Sequence, residues 1–322
     1  MFVHLVSCDF VDRVLTLSGT LTLLRTFARG AREFILCPPA AERFFLSRVK
    51  LTTGDNGRGV RMTRRNGHRE TAAQRRARRA LERQLDYQRV KARSAVGHED
   101  EYVAAMRARS ARVRSRLEEF RAVSTDARVL EVGSGAHGLV FFFGTTRGVG
   151  VDPLACDYAA LFPAWQHRAR TIAACGERLP FADASFDIVL CDNVVDHAED
   201  PAGIARELVR VLAPGGLLYF TVNFHHPFYS VAARLHSAWN AAGLRFEIGP
   251  FADHTVHLTL DSARALFHGL PLRVLAERGD TAEAKALARQ RPPRHVGDRL
   301  KRVLFKNALY ELVAEREQNR ER

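Results

Sequence analysis

No apolar run in the chain approaches the roughly eighteen residues that a membrane helix needs. The nearest, Val14 to Leu24, is short and is broken by Thr, Ser and Gly. Asp9 and Asp12 precede it, where a secretory signal carries positive charge, so secretion is not expected. Cysteine is sparse: Cys8, Cys37, Cys156, Cys175 and Cys191 are scattered without C-x-x-C spacing. That pattern argues against a disulfide framework or a zinc site and suits a reduced, cytoplasmic compartment. Lysine is nearly missing as well. Of 49 basic residues only Lys50, Lys91, Lys285, Lys301 and Lys306 are not arginine, although the net charge is +13.

What is present is enough for one large α/β domain with an extension: 322 residues, 46% of them hydrophobic. Residues 1–61 carry no motif, only turn signals such as Cys37-Pro38-Pro39 and Gly54-Asp55-Asn56-Gly57. Met62 opens a stretch of different composition, so one reading is that the working protein does not include residues 1–61. From Met62 to Arg121 there are 17 Lys and Arg against 8 Asp and Glu. This Arg-rich region, 62–125, reads either as an electrostatic arm for RNA, DNA or an anionic membrane, or as a solvated helical face. Leu81, Leu85 and Val90, then Val103, Met106, Val113 and Leu117, recur at helical spacing, which predicts one or two amphipathic helices.

The stretch that organises the rest is Arg128-Val-Leu-Glu-Val-Gly-Ser-Gly-Ala-His-Gly138. Val129, Leu130 and Val132 read as a buried parallel strand that stops at a glycine turn. Gly133 and Gly135 admit the backbone angles of such a turn and let a ligand approach the main chain. A second apolar run, Val149 to Val151, ends in Asp152, which places an acid at the neighbouring strand tip, where it can accept hydrogen bonds from a ribose. Gly133, Gly135 and Gly138 also spell the dinucleotide fingerprint G-x-G-x-x-G. Glu131 separates the two readings: a carboxylate beside the turn repels a pyrophosphate and suits a cationic sulfonium.

On these residues the chain resembles the class I S-adenosylmethionine-dependent methyltransferases, whose first motif has the form acid-x-Gly-x-Gly-x-Gly. The third glycine of that form is replaced by His137, with Gly138 just after. Leu179-Pro180-Phe181, Ser185-Phe186-Asp187 and Arg210-Val211-Leu212-Ala213-Pro214-Gly215-Gly216 extend the likeness to the small-molecule, type 11-like branch. The resemblance implies S-adenosyl-L-methionine as cofactor, and helices of the 62–125 region that close over it as a lid, in which Tyr87 and Tyr102 can take part. It assigns Glu131 to the methionine moiety, directly or through solvent. Gly133, Ser134 and Gly135 line the cofactor, Asp152 with Pro153 holds the ribose, Glu177 and Leu179 border the adenine, and Asn193 serves the methionine end. Many relatives carry an Asp where this chain has Cys175, so the adenine amino group must find Glu177 or go without that contact.

The remaining pattern alternates strands and helices, which implies right-handed crossovers and a parallel sheet. The helix after Gly138 is expected to be short or bent by Gly144; Leu154 to Phe162, Pro201 onward, with Ile204, Leu208 and Val211 on one face, and Val231 to Ala242 read as further helices, and Arg291-Pro292-Pro293-Arg294 as a basic loop. Strands are expected at Arg170 to Ala174, Ile188 to Cys191, Leu217 to Val222, Leu272 to Ala276 and Leu309 to Ala314, the last ending the sheet. The fold expected is a Rossmann-like, doubly wound, seven-stranded sheet, mostly parallel with an antiparallel last strand, plus an N-terminal helical extension. The methyltransferase domain is assigned to 126–322, with acceptor-site insertions at 223–262 and 277–300.

His197 lies beyond the fourth strand, where it can face the acceptor as a base or cap local backbone. His225, His226, His254 and His257 make no recognised ligand set, so no metal is assigned. The expected reaction is methyl transfer by in-line displacement to a small-molecule, glycan or lipid-linked acceptor. The rivals are an RNA or DNA methyltransferase using the arginine arm and a non-catalytic cofactor-binding regulator. Asp192-Asn193-Val194-Val195 does not resemble the Pro-Pro-aromatic motif of base-amino methylases. The oligomeric state does not follow from the sequence.

Overall fold

The parallel core of the sheet is laid down by short apolar runs that each end at a turn residue. In the computed structural model, which describes residues 72–228, 258–290, 304–305 and 308–318, β1 spans Arg128–Val132, β2 Arg147–Val151, β3 Arg170–Ile172, β4 Phe186–Asp192, β5 Leu212–Phe224, β6 Leu272–Gly279 and β7 Ala308–Arg316. Their order is β3-β2-β1-β4-β5-β7-β6. Pairs within β3 to β5 are parallel, and β7 runs antiparallel to both β5 and β6. The last strand is therefore antiparallel, as the pattern predicts, but it does not end the sheet. β7 is buried along most of its length and slots in beside β5, which leaves the half-exposed β6 at the edge. Segment 1–71, the helix expected at 231–242, residues 253–257 with His254 and His257, and the loop 291–294 lie outside the described residues.

Alternation along the strands gives the sheet two apolar faces. Leu130, Val132, Val189, Cys191, Leu218 and Phe220 point to one side. There they meet Ile204, Ala205, Leu208 and Val211 of the helix Pro201–Val211 (α5), which Asp200 caps by accepting from the Gly203 N–H. Val129, Ile188, Leu190, Leu217, Tyr219 and Val313 point to the other.

That second face is covered from upstream. Helix α1 spans Ala72–Ala95 and α2 spans Glu99–Glu118. Val113 and Leu117 of α2 belong to the same core as the strand residues just named. In a doubly wound fold the crossover between the first two strands normally supplies such a helix. Here that crossover holds only a four-residue 3-10 turn, Leu139–Phe142, before Gly144 at φ +78°. Side chains of α2 close the gap: Ser110 Oγ donates to the Leu139 carbonyl at 2.9 Å, and Arg114 donates to the carbonyls of Phe143 and Gly144 at 3.0 Å each and to that of Val123. Two further arginines of α2 meet acids on the sheet, Arg109 pairing with Asp192 and Arg116 with Glu311. Part of the arginine content thus has an inward task that the sequence pattern did not separate from the solvated remainder.

Candidate active site

The turn after β1 is fixed by its main chain first. The N–H groups of Gly133 and Ser134 both donate to the Val151 carbonyl, at 2.7 and 3.1 Å. Gly133 sits at φ +74°, and a Cβ there would lie 2.3 Å from Val194 Cγ2, so no larger residue fits. Gly135 differs: the nearest atom to its missing Cβ is the Gly133 carbonyl oxygen at 3.9 Å, which leaves the main chain open to a ligand. Ser134 Oγ and His137 Nε2 are buried with no hydrogen-bond partner among the described residues. An open backbone beside unsatisfied polar atoms is the setting a polar cofactor fits.

Glu131 behaves differently from the sequence expectation. Its side chain is 2% exposed, and its two oxygens accept from the N–H groups of Leu139 and Val140, at 3.0 and 2.8 Å. Burial raises its pKa to about 8, with Asp192 adding to the rise and the two N–H bonds and Arg109 opposing it. The carboxyl therefore does not face the methyl donor as a solvent-lit charge; its task is to hold the amides of the 3-10 turn. The displaced third glycine follows from this packing, because a Cβ on Gly138 would lie 2.6 Å from Glu131 Oε2. Folding takes up a proton at Glu131 between its ordinary 4.5 and about 8, so this group's stabilisation is full below that window and is lost as pH rises through it.

Asp152 stands at the tip of β2, as expected. One oxygen accepts from the Gly135 N–H at 3.0 Å and the other from Leu154 N–H at 2.8 Å, which ties the strand tip to the glycine turn. Burial raises its pKa from 3.8 to about 6, against those two N–H bonds. Ionised, it is the stronger acceptor for ribose hydroxyls. Affinity for S-adenosylhomocysteine is therefore expected to fall about tenfold between pH 7 and pH 5, following the ionised fraction of a group with that pKa. Titration calorimetry across this range checks it, and Asp152→Asn should flatten the profile. Pro153 occupies the turn ahead of the helix Ala155–Leu161 (α3), rather than its first helical position.

The other assigned residues lie on the segments that follow β3 and β4. Leu179 is buried, and its N–H donates to Glu207 Oε2 at 2.7 Å while Arg210 bonds its carbonyl. Phe181 meets Phe186 edge to face at 4.9 Å. Glu177 is partly exposed and accepts from the Glu199 N–H at 3.2 Å. Asn193 adopts φ +59°, and its side-chain oxygen accepts from both the N–H and the side-chain amide of Asn223, at 3.0 and 2.6 Å. A non-glycine residue in the left-handed region is strained, and Asn223 is the partner that holds it there. His197 is exposed, with Nε2 3.8 Å from the buried Asp196 Oδ1. His225 is buried beyond β5 and His226 packs against Phe305. Among the described residues no group of three His, Cys, Asp or Glu side chains is arranged to hold a metal, and no helix is long and apolar enough to cross a membrane.

Several residues at the site carry no motif and were missed: Arg109, Trp165, Gln166 and Asn223. Tyr102 of α2, expected in a lid on the likeness alone, stacks on His137 of the glycine turn at 5.6 Å and on Trp165 at 6.1 Å. Tyr87, its companion in that expectation, is instead 56% exposed on α1 beside Lys91. Burial, with Lys91 and Arg109 nearby, lowers the His137 pKa to about 4, so the stacked ring is neutral.

The sheet order with its inserted antiparallel strand, the glycine turn and the acid at the β2 tip match what the resemblance to class I S-adenosylmethionine-dependent methyltransferases implies. Residues 130–220 match the model of a family described as a methyltransferase domain. An uncharacterized methyltransferase of Mycobacterium sp. (strain KMS) is 37% identical over 142 residues, which cover 42% of this chain and 47% of that protein. One from Mycobacterium leprae (strain TN) is 32% identical over 142 residues, covering 42% and 45%. The chain spans about half the length of these curated relatives. Among solved structures, geranyl diphosphate C-methyltransferase from Streptomyces coelicolor A3(2) is 16% identical with a TM-score of 0.47, over 65% of this chain and 79% of that one.

Proposed function

We propose that this protein transfers a methyl group from S-adenosyl-L-methionine to a small-molecule, glycan or lipid-linked acceptor by in-line displacement. One observation carries the choice of cofactor. A pyrophosphate needs free amides at a helix N-terminus, and here the amides of Leu139 and Val140 are already held by Glu131 at the start of a 3-10 turn too short to build a dipole. Sheet order supports the same choice, since dinucleotide-binding sheets run 3-2-1-4-5-6 without the inserted strand.

The cofactor, when bound, supplies a methyl group already activated on sulfonium. The chain's part is alignment, a contribution that reaches about 7 to 11 kcal/mol in well-oriented systems. Asp152 holds the ribose hydroxyls, Gly133, Ser134 and Gly135 admit the methionine moiety, Leu179 and Glu177 border the adenine, and Asn193 closes the methionine end. His197, at the carboxyl end of β4, is the candidate base for the acceptor proton, with Asp196 behind it. The inward pairing of Arg109, Arg114 and Arg116 favours this reading over a nucleic-acid acceptor, because those cations are engaged with the sheet and the 3-10 turn. Incubating the chain with a labelled methyl donor and separate pools of sugars, lipids, small metabolites and nucleic acids tests the acceptor class. Label is expected in one of the first three pools; transfer to nucleic acid alone would replace the proposal with its rival.

A further inference from the structure

In a continuous helix following the glycine turn, the carbonyls of Gly135 and Ala136 would accept from the N–H groups four residues on, those of Leu139 and Val140. The chain unlatches that first turn from both sides. Glu131 takes the two N–H groups. The two carbonyls are taken from the next crossover, by the helix Pro163–Gln166 (α4): Trp165 Nε1 donates to the Ala136 carbonyl at 2.7 Å, and Gln166 Nε2 donates to those of Gly135 and Ala136 at 3.1 and 3.0 Å. Trp165 and Gln166 are 1% and 3% exposed, so these bonds are shielded from water. Trp165 is itself held in a stack with Phe162, at 5.2 Å, and with Tyr102 of α2.

We propose that Trp165 and Gln166 are positioning residues for the methyl donor: they hold the glycine turn unwound, with the Gly135 main chain turned toward the ligand. This inference rests on the cofactor reading above. The chemistry explains the need for donors of this kind. Buried carbonyls require partners, and a lone 3-10 turn gives the loop no helical ladder to order it. A side chain with one rigid N–H and another with a two-donor amide fix two consecutive peptide planes, and the Gly135 N–H is then aimed at Asp152.

The test compares S-adenosylhomocysteine with adenosine on the full chain, by calorimetry. The glycine turn faces the methionine end, which adenosine lacks, so its disorder should weaken the first ligand and spare the second. Trp165→Phe keeps the ring and removes the donor, and is expected to lower S-adenosylhomocysteine affinity about fivefold; adding Gln166→Leu should bring the loss to about thirtyfold. Adenosine affinity should stay within about twofold in both. Should Trp165→Phe fail to fold, Gln166→Leu alone carries the comparison, with an expected loss of about fivefold. Parallel losses for both ligands would mark a purely structural role and overturn the inference, as would S-adenosylhomocysteine affinity unchanged in the variants. A wild-type chain that binds adenosine but not S-adenosylhomocysteine would instead remove the cofactor reading on which the inference rests.

Discussion

Asp152→Ala is expected to lower S-adenosylhomocysteine affinity at pH 7.5 by two orders of magnitude or more. Hydrogen bonds to a charged group contribute about 1.5 to 3 kcal/mol each, and two ribose hydroxyls lost together amount to about 3 to 6 kcal/mol, a factor of about 100 or beyond. The loss has a second source. Without the carboxylate, the Gly135 and Leu154 N–H groups lose their acceptor, and the glycine turn loses its tie to β2. Asp152→Asn separates the two effects, since it keeps one acceptor and the side-chain shape. Stability should move the other way. A carboxyl whose pKa is raised from 3.8 to about 6 stabilises the fold fully below that window and less as pH rises through it, so at pH 7.5 the ligand-free Asn variant should melt no lower than wild type. Affinity for Asp152→Ala within threefold of wild type would reject the ribose role.

Starting the chain at Ser124 is expected to give a protein that does not fold cooperatively. Such a truncation looks mild from composition, since it removes an arginine-rich stretch ahead of the first motif. In the structure it strips Met106, Val113 and Leu117 from the core and uncovers Val129, Ile188, Leu190, Leu217, Tyr219 and Val313. Each buried apolar side chain contributes about 1.5 to 3 kcal/mol, so three from α2 alone approach the 5 to 15 kcal/mol that holds a whole domain. Asp192 and Glu311 also lose their arginine partners. The accompanying point change, Leu117→Ala, should cost about 2 to 5 kcal/mol and leave a folded, less stable chain. Thermal melting followed by circular dichroism decides it: a sharp transition near the full-length value in the Ser124 chain would show α2 to be peripheral.

These two expectations differ in how far the sequence foretold them. Asp152 was legible because an acid ending an apolar strand, about twenty residues after a glycine turn, has one geometric meaning in a parallel sheet. The helix α5 was equally legible, its Ile204, Leu208 and Val211 all facing the sheet. The role of α2 was hidden, since arginines that cap carbonyls or meet sheet acids have the same spacing as arginines in water. Glu131 was located correctly and its task was not. Its partners Leu139 and Val140 open the 3-10 turn, where N–H groups lack an intrahelical acceptor, and their spacing of eight and nine residues from Glu131 marks nothing in the sequence. Trp165 and Gln166 act across 29 to 31 residues of sequence, with no spacing that marks them.

The central claim is that the turn after β1 is already closed to a diphosphate and open to a methionine moiety. Titration calorimetry of the full chain with S-adenosylhomocysteine and, separately, with NAD reads this directly. Saturable binding of the first with no measurable heat from the second is the expected outcome; NAD bound more tightly than S-adenosylhomocysteine would contradict the account.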